Sequence, residues 1–143
     1  MATATARTAS RLGWAGLLPF LAAPLAVSVS TNPAEIVGPA IAAYSLAIVC
    51  FLMGAWWGIA LLRQAPVILV ASNVVVIAAC LGFVLLGLRA NLLLQALLLA
   101  GAIVVERMHP MFGPQPDYYA TLRLRLSAVA SLALMLSVLQ LPA

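Results

Sequence analysis

Charge chemistry in this chain rests on very few side chains: seven arginines and no lysine, three acids (Glu35, Glu106 and Asp117) and one histidine, His109. A hydroxyl or thiol nucleophile needs a base within reach and a third group to orient that base, and hydrolysis by acid and base needs paired carboxylates. Neither arrangement is visible: the acids stand in separate segments, His109 is alone in a polar loop, and there is no glycine-rich phosphate loop. Cys50 and Cys80 sit inside apolar stretches without CxxC spacing and read as inert buried thiols rather than metal ligands. The expectation is a non-enzymatic protein with no cofactor and no metal site.

What remains are candidates for binding and packing. Glu106 ends one apolar run, and Arg123 and Arg125 open the next. An ionised group at the edge of an apolar run must find a counter-charge or reach the surface. Glu106 and Arg123 are therefore expected to pair, either closing the end of a bundle or holding a lipid phosphate or other anion. Gly54 and Gly58 form a GxxxG, and Ala78 and Gly82 repeat the small-xxx-small spacing, which lets a neighbouring backbone approach closely. These four residues are expected to pack helices within the bundle, with a dimer contact as the alternative. Neighbouring residues of a helix diverge by ~100°, so one of Trp56 and Trp57 can face inward. An inward Trp57 beside the two glycines would line a pocket for a flat apolar ligand. Asn73 and Gln95, single amides in apolar runs, read as interhelical hydrogen-bonding groups.

The elements that must position these residues follow from composition. Hydrophobic residues make up 66% of the 143-residue chain and charged residues only 7%, with a mean hydropathy of +1.18. Such a chain is dissolved in lipid, not water. The net charge of +4 is spread thinly between apolar blocks, so no basic face for nucleic acid forms. After a polar tail at 1–11, a single five-helix transmembrane domain is expected over 12–143. Its spans run at about 12–29, 40–62, 67–88, 92–105 and 122–141. The first is read as a retained helix rather than a cleaved leader, kinked by Pro19 and Pro24. Asn32, Pro33 and Glu35 read as a helix start with a short turn before span two. Span four, with only ~21 Å of helix, looks too short for the hydrocarbon layer. A restart near Pro116 and Asp117 opens the fifth helix.

Five spans place the chain ends on opposite sides. Arg7, Arg11, Arg63, Arg107, Arg123 and Arg125 then share one side and Arg89 stands alone on the other. The positive-inside rule makes the first side internal, with the N-terminus inside and the C-terminus outside.

Three segments resemble the DUF3429 family, which includes the mitochondrial transmembrane protein 69. Arg11 to Phe20 (RLGWAGLLPF) is similar to its LGxxGxxPF opening. Tyr44-Ser45 with Phe51 to Gly58 (FLMGAWWG) is similar to its Y-S, FxxGxxWG segment, and Tyr118 to Ser127 (YYATLRLRLS) to its WYxxLRxxLT segment. Tyr118 stands where the family has tryptophan, and Glu106 where it has aspartate. The resemblance implies a small multipass protein of bacterial inner or mitochondrial membranes. It directs attention to Tyr44, Trp57, Tyr119 and Arg123, which join Glu106 as candidate binding residues, and it transfers no catalytic residue.

Two functions fit these readings. The first is a non-enzymatic accessory or assembly protein of a bacterial inner membrane, or alternatively of a mitochondrial one, acting through helix contacts with a protein partner or a second copy. The second is a binder or carrier of a small apolar or amphipathic ligand (lipid, quinone or tetrapyrrole) within the bundle. Membrane lipids are expected partners in either case.

Overall fold

A computed structural model describes residues 4–113 and 117–141. Pro116, expected at the restart of the last helix, lies outside the described residues, as does the Asp117 side chain. Five helices follow in order: α1 (Ala4–Val29), α2 (Val37–Leu62), α3 (Pro66–Leu85), α4 (Leu88–Met108) and α5 (Asp117–Gln140), with a single 3-10 turn, Pro110–Phe112, between the last two. All five contain windows long and apolar enough to cross a membrane, and there is no strand among the described residues. This is an all-α integral membrane fold.

Several boundaries move. Residues 4–11, expected as tail, are the first two turns of α1, because nothing in Ala-Thr-Ala-Arg-Thr-Ala-Ser-Arg breaks a helix. Both prolines lie inside that helix. Pro19 removes the bond to the Ala15 carbonyl, and one residue on, the Gly16 carbonyl accepts a 2.8 Å hydrogen bond from the Tyr44 hydroxyl of α2. A neighbouring helix thus supports the weakened turn. Residues 33–36 form the expected short turn, but α2 starts at Val37 with no side-chain cap, so Asn32 is not its N-cap. Helix α4 is a full-length span of 21 residues, ~31 Å. Arg89, Asn91, Glu106 and Arg107 are helical at its ends, and the expected mismatch disappears.

The connection between α2 and α3 is as tight as Arg63-Gln64-Ala65-Pro66 implies. Ala65 N–H donates to the Ala60 carbonyl and Gln64 N–H to that of Leu61, which together make a Schellman end. Gln64 occupies its left-handed position with φ of 53°, and Pro66 starts α3 at once.

The helices form a ring in the order α1, α5, α4, α3, α2, closed by a smaller α1–α2 contact and bridged by α2 against α4. That bridge divides the bundle into a three-helix part (α2, α3, α4) and a four-helix part (α1, α2, α4, α5). In the three-helix part Gly82 admits the Leu94 side chain where any Cβ would collide with it. Gln95 of α4 there donates to the Ala79 carbonyl of α3 at 3.4 Å and to Asn91 at 3.3 Å, the interhelical role expected of it. Asn73 instead bonds back to Leu69 of its own helix, being on the exposed side. The lipid-facing stripe of α3 (Val67, Val70, Val74, Ile77, Leu81, Val84) is exposed, as a lipid solvent requires.

Candidate functional site

The buried stripe of α2 runs Ser45, Val49, Met53, Trp56, Ala60 at spacings of three and four, and it carries Trp56 into the bundle near the arginine-rich end. There the Trp56 indole Nε1 donates a 2.6 Å hydrogen bond to Glu106 Oε1 at the end of α4. Arg123 Nη2 of α5 donates to the same oxygen in an ion pair. A third link joins Arg123 Nη1 to the Tyr119 hydroxyl at 3.2 Å, with the guanidinium 5.7 Å from the centroid of that ring. Phe112 of the 3-10 turn covers the indole at 5.1 Å between ring centroids, and Met111 and Phe112 are both buried.

One carboxylate thus ties three helices together. The side chains of Arg123 and Glu106 are only 8% and 15% exposed, so water screens their attraction little. Arg123 Nε is sealed from solvent without an acceptor among the described residues. The guanidinium is therefore over-supplied with donors relative to acceptors.

Beside this network lies an apolar cleft of about 340 Å³ in the four-helix part of the bundle. Its apolar wall includes Leu12, Gly13 and Gly16 of α1, Ile48 and Leu52 of α2, and Leu126 of α5; Leu99 of α4 also contributes. Its polar groups are few and come from one helix face: Tyr119, Arg123 and Ser127. The Tyr119 oxygen accepts from Arg123, which leaves its own proton available to donate. A mostly apolar cavity with a few grouped polar atoms is the general form of a small-molecule site.

Of the residues expected to bind, Glu106, Tyr119 and Arg123 come together, and Tyr44 does not join them. Tyr44 holds α1 to α2 through Gly16 and meets Phe20 edge-on at 5.3 Å. Trp57 corrects the inward placement read from sequence: it is 45% exposed, whereas Trp56 is 2% exposed, and with Gly54 it lines an open groove of about 290 Å³ against α3. Gly54 and Gly58 are corrected with it. A Cβ added at either position meets nothing within 4 Å, so they pack no helix of this chain. Gly82 makes a close contact, but with the Leu94 side chain rather than a backbone, and Ala78 beside it is half-buried while Ala79 is fully buried. The cysteines are not buried thiols either: Cys80 is exposed and Cys50 half-buried.

Sequence reasoning misses Trp56 as the partner of Glu106. The stripe from Ser45 to Ala60 is readable as a helix face, but the glycine pair draws the inward assignment to the wrong side.

Five apolar helices tied at one end by a buried ion-pair network define a polytopic helical membrane protein. The sequence profile of the family described as "Protein of unknown function (DUF3429)" matches residues 5–139, all but the ends of the chain, and the protein belongs to that family. No curated protein and no solved structure matches it.

Proposed function

We propose that this protein binds a small apolar or amphipathic molecule drawn from the membrane, held in the cleft between α1, α2 and α5. The observation that carries this reading is the cleft itself: apolar along most of its wall, with Tyr119, Arg123 and Ser127 grouped on α5. Its volume stands at the low end of the ~300–1,000 Å³ usual for ligand sites, which favours an acyl chain or a single-ring quinone head over a tetrapyrrole. Charge narrows the class further. Glu106 already balances Arg123, so an anion here would leave an uncompensated buried charge. A neutral acceptor such as a carbonyl or ester oxygen fits the donors better. The arginine distribution favours an internal position for this end, in a bacterial cytoplasmic or mitochondrial inner membrane.

Purification from native membrane in mild detergent, followed by mass spectrometry of extracted small molecules, tests the proposal. Wild-type protein is expected to carry one compound at near-stoichiometric level, and Leu52→Trp, which fills the cleft from a half-buried position, to lose it while keeping its thermal transition. Equal recovery from both proteins would sink the reading.

The second reading, an accessory or assembly protein, is favoured by one observation. Gly54, Gly58 and Trp57 lie open on α2, where another transmembrane helix could approach closely. A stoichiometric protein in the same purification, lost in Gly58→Leu, would support it.

A further inference from the structure

The polar tail of α1 and the first turns of α5 build a second feature at the arginine-rich end. Arg7 and Arg11 are four residues apart on α1 and so share a face. Together with Arg125 of α5 they line a groove of about 680 Å³ made, among the described residues, by these two helices. Ser10 and Thr121 add hydroxyls to its wall, and Trp14 and Tyr118 add aromatic rings.

All three arginines are exposed, and none makes an ion pair among the described residues, where Glu106 is committed to Arg123. Like charges at this helical spacing repel. Even a full negative charge from Asp117, in the first turn of α5, leaves the groove with two positive charges in excess.

Depth identifies the occupant. Helix α1 has 26 residues, ~39 Å against a hydrocarbon core of ~30 Å. Its apolar part from Leu12 to Val29 fills most of that core, so Arg7 and Arg11 stand in the headgroup layer. Trp14 is half exposed, as is Tyr118, and both suit the interface immediately beneath.

We propose that this groove is a binding site for the phosphodiester headgroup of an anionic phospholipid, held by Arg7, Arg11 and Arg125 with Ser10 and Thr121 as further donors. Guanidinium matches phosphate oxygens in a two-pronged geometry that ammonium lacks, and this chain uses arginine without a single lysine. The site shares no charged or polar group with the cleft. Failure of one proposal therefore leaves the other standing.

The test reconstitutes the full chain into phosphatidylcholine nanodiscs containing phosphatidylglycerol, then counts lipids retained after detergent transfer by native mass spectrometry. Wild type is expected to retain phosphatidylglycerol preferentially. Each arginine beside an anionic lipid contributes about fivefold, so Arg11→Gln with Arg125→Gln should remove the preference. Arg11→Lys with Arg125→Lys should keep most of the charge-based part and lose the remainder. Arg107→Gln changes an exposed arginine at the same end but outside the groove, and should leave retention unchanged. An equal loss in Arg107→Gln, or undiminished preference in the double glutamine variant, overturns the site. Displacement of the lipid by inorganic phosphate reassigns the groove to free anions and overturns the lipid assignment.

Discussion

Trp56 and Trp57 are adjacent on α2 and chemically identical, yet one is 2% exposed and hydrogen-bonded to a buried carboxylate and the other is 45% exposed. The two faces of α2 to which they belong differ just as sharply. On the inner face, Trp56, Glu106, Arg123 and Phe112 interlock elements that are far apart in sequence. On the outer face, a Cβ at Gly54 or Gly58 meets nothing within 4 Å and Trp57 is half exposed. In lipid, burying an apolar side chain has no hydrophobic driving force, so Trp56 is fixed by its indole N–H finding Glu106 and by packing. The contrast teaches that, in this bundle, one polar atom decides the value of a tryptophan.

The largest break in that contrast should come from the ion pair. Glu106→Gln or Arg123→Gln leaves the remaining charge buried without its counter-charge, which is expected to cost ~3–5 kcal/mol in detergent unfolding measurements. A double-mutant cycle should show strong coupling; strictly additive losses would mean that the two charges act independently.

Next in size is the tryptophan comparison itself. Trp56→Phe removes the donor to a charged acceptor and should destabilise by ~1.5–3 kcal/mol, whereas Trp57→Phe should stay within ~0.5 kcal/mol of wild type. Similar losses in the two variants would show that the faces are not as distinct as their contacts.

Glycines sharpen the same comparison. Gly82→Leu places a branched side chain where even a Cβ meets Leu94 and should cost ~1–3 kcal/mol. Gly58→Leu, pointing into open space, should leave the thermal transition of the isolated chain unchanged. A marked loss of folded yield for Gly58→Leu would place a partner, from this chain or another, against that face.

The smallest effect belongs to the end of α2 away from both faces. Gln64 holds a left-handed conformation that glycine adopts without steric cost, so Gln64→Gly should stabilise by ~1 kcal/mol. No change in the unfolding midpoint would mean that the hairpin is already relaxed in the wild-type protein.

Five spans, the tight α2–α3 hairpin and the Glu106–Arg123 pair are all legible in the amino-acid sequence. Each depends on local or pairwise rules: uninterrupted apolar length, a proline directly after a polar break, and an acid and an arginine at adjoining helix ends. Where local rules give out, at residues 4–11 and at both ends of α4, polar residues read as loop although their backbone continues as helix. Polarity marks the edge of the hydrocarbon, not the end of the hydrogen-bonded turn.

The inward face of α2 is of another kind. Its sequence offers two competing stripes, Ser45-Val49-Met53-Trp56-Ala60 and the Gly54-Gly58 pair with Trp57, and lipid gives neither an intrinsic preference to be buried. Which stripe turns inward depends on where α4 and α5 bring Glu106 and Arg123, and on Phe112 covering the indole from a turn more than fifty positions away. Composition and spacing settle that this chain is a five-helix membrane protein with a charged pair at one end. Only the packed bundle decides which tryptophan that pair engages, where the cleft opens and which glycines stand free, because those outcomes follow from contacts between helices that no stretch of sequence contains.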